Sequence, residues 1–71
     1  MPLLDYFYVL QFENNEYFKS FKLDESGYLT SNDLHGASKM QTMLEVIEVA
    51  SELKTKYNVQ CEVREIQVVK R

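Results

Sequence analysis

His35, Asp33, Cys61 and Pro2 are the residues whose types invite a chemical reading. A loop histidine with a carboxylate two positions away has the ingredients of an acid/base pair. An efficient one also needs a fixed partner and a substrate cleft. SNDLHG, the segment that holds Asp33 and His35, is instead turn chemistry, so Asp33 is expected to cap a local bend. Cys61 lies between Val59 and Val63, which makes it a small core residue, inert by burial, rather than a nucleophile. Pro2 would be a base only as an amino-terminal proline, the arrangement of small tautomerases. Those run strand–helix–strand directly after the proline, whereas here a hairpin pattern follows, and Arg64 and Arg71 are the only arginines. With one cysteine and one histidine, neither an internal disulfide nor a zinc site of ordinary spacing can be built. No GxSxG and no glycine-rich phosphate loop occurs. The expectation is a protein that is not an enzyme, with no metal and no cofactor.

What must position any surface is a very small fold. Seventy-one residues, 45% hydrophobic and 27% charged, make one domain, 1–71, near the lower limit of independent folding. A net charge of −3 argues against direct nucleic-acid binding, which needs a basic stripe. No apolar run approaches a membrane span, and Leu3-Leu4 meets Asp5 without a basic leader. One free cysteine and no export signal predict a cytoplasmic protein.

Residues 6–13 (YFYVLQFE) and 16–23 (EYFKSFKL) read as strands joined by Asn14-Asn15. Asp24-Glu25-Ser26-Gly27 is a second turn, and 28–30 adds a short strand. Thr42 and Glu45 form a capping box, the carboxylate reaching back to the Thr42 amide, for a helix over 43–57. Its stripe is Met43, Val46, Ile47, Ala50, Leu53 and Tyr57, and Asn58 is the left-handed stop. Residues 59–69 (VQCEVREIQVV) form the last strand. Val63 and Ile66 differ in parity there, so a β-bulge near Arg64-Glu65 is expected. The fold class is α+β, ββ(β)αβ: a mostly antiparallel sheet of three or four strands in the order 3-2-1-4, with the helix on one face. A helix crossover between the first and last strands makes those two parallel.

A two-residue turn pairs Phe12 with Tyr17, Leu10 with Lys19, Tyr8 with Phe21 and Tyr6 with Leu23. This face takes the helix, with Lys19 alone out of place and Tyr6, Tyr8 and Tyr17 in the core. Tyr28 is expected to be more exposed. Phe7, Val9 and Phe18 then stand on the uncovered face and are the first candidates for binding a partner. Scattered exposed apolar residues are the bland alternative. Glu45, Glu48 and Glu52 make a short negative stripe on the helix, the second candidate surface, against the reading of an ordinary solvated face.

The hairpin, the polar loop, the helix EVIEVASELK and the terminal strand VQCEVREIQVV together resemble small accessory proteins of temperate phages and mobile elements of Gram-positive bacteria. The likeness covers Tyr6 to Val69 and carries no transferable functional residue. It implies a protein that binds and inhibits a host factor, such as a nuclease of anti-phage defence; with the open sheet face, the expectation is a non-enzymatic binder of a host or self protein. The alternative is a homodimer with a composite groove for a small ligand or nucleotide signal.

Overall fold

The structure is a computed structural model that describes the backbone of residues 3–70 and the side chains of residues 6–68. Pro2 lies outside the described residues. Strands β1 (Leu3–Phe12), β2 (Tyr17–Phe21) and β3 (Tyr28–Ser31) precede helix α1 (Met43–Tyr57) and strand β4 (Cys61–Lys70). They form one four-stranded sheet in the order β3-β2-β1-β4 with one helix, an α+β fold.

The direction of β4 differs from the expected one. It pairs antiparallel with β1 in unbroken register, from Leu3 opposite Lys70 to Phe12 opposite Cys61. The return leg expected of the helix is made instead by the loop after β3. There Met40 forms an antiparallel bridge with Tyr8, the N–H of each donating to the carbonyl of the other at 2.8 and 2.9 Å. The Ser38 N–H donates to the Phe18 carbonyl at 2.9 Å. Residues 38–40 therefore wedge between β1 and β2 where the hairpin splays. The chain has already come back down, so α1 runs along β1 and delivers β4 in the opposite sense. Continuous register also removes the bulge expected near Arg64-Glu65. Ile66 and Val63 simply occupy opposite faces of β4.

The hairpin is one residue longer in its loop than expected. The Phe12 N–H donates to the Glu16 carbonyl at 2.7 Å, and the Asn15 N–H to the Phe12 carbonyl at 3.0 Å. Asn15 takes the left-handed conformation, φ 67°. This is a three-residue loop, a turn closed by a left-handed residue that asparagine tolerates. Gln11 therefore faces Tyr17, and Leu10 and Phe12 share a side with Phe18. The register then slips between Phe18 and Ser20 against β3. Lys19 is the bulged residue and is exposed. The bulge restores parity, and Phe18 and Phe21 both meet the core with ring centroids 4.9 Å apart.

The core lies between the helix and this face. Leu10, Phe12, Phe18, Met40, Val46 and Leu53 are buried together, with Tyr8, Phe21, Tyr28, Val49, Ala50, Tyr57, Val59 and Cys61 packed against them. Each large apolar side chain so enclosed contributes about 1.5–3 kcal/mol. At the hairpin end, the Tyr28 ring centroid lies 5.4 Å from those of both Phe12, tilted against it, and Tyr57, edge-on to it. Tyr28 is thus a core neighbour rather than a surface residue. Tyr6 and Leu23, expected in the core, are exposed, because the wedge and the bulge take their places.

The helix begins where Thr42 Oγ1 accepts the Glu45 N–H at 3.2 Å. The Glu45 carboxylate reaches past Thr42 to the Gln41 N–H at 3.4 Å. Asn58 at φ 55° ends it, its N–H on the Lys54 carbonyl and that of Val59 on Leu53.

Candidate functional site: the outer helix face and the open sheet edge

The expected docking surface is largely closed. Val9 has 0% of its surface accessible and Phe18 3%. Phe18 is enclosed because of the three-residue loop, which turns it toward the helix. Val9 keeps the expected face, but that face has its own cover. Ala37 is buried, and the Lys39 ammonium stands 5.8 Å above the centre of the Phe7 ring. Phe7 itself is half-buried. An irregular segment, not a second helix, does the covering.

That segment is tightly tied. The Asp33 carboxylate accepts the Gly36 N–H at 2.8 Å, and the Ser31 hydroxyl donates to the Asp33 carbonyl at 3.0 Å. Those contacts leave no room for a side chain at Gly36, since a Cβ there would overlap Ser31. The Gly36 N–H, before all other influences, holds the Asp33 carboxyl below its ordinary range. Asp24 is lowered in the same way in the β2–β3 turn, mainly by the Ser26 hydroxyl at 2.6 Å. Asp33 is thus a bend-forming residue. Exposed His35 donates no side-chain bond there; its carbonyl accepts from Lys39 at 3.0 Å.

Two other surfaces remain. The first is the outward side of α1. Glu45 and Glu48 are exposed, and Glu52 is half-buried in an ion pair with Lys56 at 3.6 Å. Among these carboxylates stands Leu44, 68% exposed. Leu44 falls outside the helix's apolar stripe, and that off-period position was the signal that would have found it.

The second surface is a groove of about 740 Å³ between the helix flank and β4. Ile47, Ala50 and Lys54 form its helix wall; Phe12, Cys61 and Arg64 lie along its sheet side. Ile47 belongs to the stripe yet is 52% exposed, because the sheet beneath ends at β4. Arg64 donates from Nε to Gln11 Oε1 at 2.8 Å. Burial pushes the Cys61 thiol up, leaving little thiolate near neutrality. Tyr8 is raised too, first by burial and then by the neighbouring Glu65 carboxylate.

Among the described residues, no helix is long and apolar enough to cross a membrane. No protein-family model matches the chain, and no solved structure does. A Bacillus subtilis (strain 168) protein, described as the SPbeta prophage-derived uncharacterized protein YopF, is 87% identical over 71 residues, which is the full length of both chains. The resemblance to phage accessory proteins thus has a prophage-derived relative behind it. The chain belongs to the same family as SPbeta prophage-derived YopF.

Proposed function

We propose that this chain is a non-enzymatic, prophage-type accessory protein of the bacterial cytoplasm that binds a host protein and blocks it. The observation that carries the reading is Leu44, an apolar side chain 68% exposed on a helix face that also presents Glu45, Glu48 and Glu52. An apolar anchor amid carboxylates complements a basic groove with a hydrophobic floor, a surface found on nucleic-acid-handling enzymes. A nuclease of anti-phage defence is the partner class that fits. The prophage origin of the relative supports the same reading.

The composite groove for a nucleotide is the weaker reading, since Lys54 and Arg64 in the groove are balanced by Glu13 and Glu62.

The test uses the tagged full chain with a Bacillus subtilis lysate, alongside a Leu44→Ser/Glu48→Lys variant. The wild type is expected to retain a nucleic-acid-handling protein in a salt-sensitive manner. The variant should lose it with an unchanged melting temperature. Equal capture by both chains refutes this surface.

A further inference from the structure

Edge strands in soluble proteins are ordinarily short, bulged, interrupted by proline or marked with charged side chains. β3, at one edge of this sheet, has 4 residues and pairs with a bulged neighbour. β4, at the other edge, has 10 residues, unbroken register with β1 and no proline. Its outward side has no strand partner among the described residues. Beside it lies the groove with half-exposed Ile47, and Val63 on the strand is exposed as well.

The charges on β4 are of both signs and fit their own reverse. Glu62 and Arg64 stand opposite Gln11 and Val9 and so share the face away from the helix, at the open β4 edge that also borders the groove, and Arg64 donates from Nε to Gln11. Neither takes part in an ion pair among the described residues, where the salt bridge is Lys56 with Glu52. In an antiparallel pair, side chains directly opposite point to the same face, so like parity meets like parity. With a two-fold axis at Val63, Val63 meets its own copy and Glu62 meets Arg64 of the second copy, twice over. An axis at Arg64 or at Glu65 sets like charges face to face. An axis at Ile66 leaves Arg64 against Val68.

We infer that the β4 edge is closed by β4 of a second copy of this chain, antiparallel and centred on Val63, with two reciprocal Glu62–Arg64 pairs. The result is a continuous eight-stranded sheet with both helices on one side. The two β1 strands lie three strand spacings apart, about 14 Å, so the two Ile47 flanks face each other across the seam. Each groove is closed by its mate. Leu44 and the carboxylate face stay outside this contact, so the dimer and the host-binding surface stand or fall separately.

Sedimentation of the untagged chain at tens of micromolar should give a dimer. Arg64→Glu should weaken association by on the order of tenfold or more, since both pairs become repulsive. Glu62→Arg combined with Arg64→Glu should restore it. A Cys61→Ser/Val63→Cys chain should form an intermolecular disulfide on mild oxidation, because paired positions lie within bridging distance. Circular dichroism of each variant should match the wild type. A monomeric wild type, an Arg64→Glu chain that stays dimeric, or cross-linking by Cys61→Ser/Ile66→Cys in place of the Val63→Cys variant overturns the inference.

Discussion

The two faces of β1 are both closed, but by different means. On one, Leu10 and Phe12 meet a helix through Val46, Leu53 and an aromatic cluster. On the other, Val9 is enclosed with a segment that has almost no regular structure, held by a bend at Asp33 and a cation over Phe7. A single helix cannot cover two faces of a sheet, and this chain solves the problem with the residues between β3 and α1. The difference lies in redundancy. The helix face rests on many apolar contacts; the loop face rests on a few specific ones.

Substitutions separate the two. Phe18→Ala is expected to cost about 3–5 kcal/mol, the usual loss for a buried aromatic side chain. Its melting temperature should fall by more than 10 °C, at about 4–8 °C per kcal/mol in a domain of this size. A shift of only a degree or two would put Phe18 on the surface and erase the distinction. Gly36→Val should cost about 1–3 kcal/mol, because the new side chain must push Ser31 aside. Hydrogen exchange should rise around Met40 while the helix amides stay protected. Faster exchange throughout the helix would mean the two covers are one cooperative unit.

Lys39→Ala tests the smallest contact and should cost about 0.5–1 kcal/mol, the worth of an exposed cation over a ring. Acid gives a graded version of the same test. Asp33 and Asp24 are held below the ordinary carboxyl value of 3.8. A lowered native value adds stability above the unfolded value, and the gain disappears as pH falls through the native one. Thermal unfolding should therefore move to lower temperature below about pH 4. Asp33→Asn should make that fall shallower; an unaltered profile would remove Asp33 from the loop's support.

Much of the architecture can be read from particular residues. Thr42 with Glu45 and the asparagine at 58 bracket the helix, because capping is local chemistry between neighbours. The strand order follows from short connections. The register does not, since Glu13-Asn14-Asn15 permits a two- or a three-residue loop and one residue decides which face every side chain takes. Lys19 on an apolar face was the legible trace of the β2 bulge. The insertion of residues 38–40 between two strands leaves no pattern in SKM, and with it the direction of β4 was lost. The acidic stripe was legible as helical spacing, and so was Leu44, as an apolar residue off the period of the stripe; the groove was not, since it depends on where the sheet stops.

Pairing β1 with β4 along its whole length also has a temporal side. On the ribosome, β1 emerges well before its long-range partner β4, with the wedge and the helix in between. Until then the β1–β2 hairpin cannot zip fully, because residues 38–40 must enter it first. Non-local pairing of this kind slows the search for the native state relative to helical domains of equal size. Nascent chains of this protein should therefore spend their exposed interval with Leu10 and Phe12 unprotected, and chaperone contact would fall there.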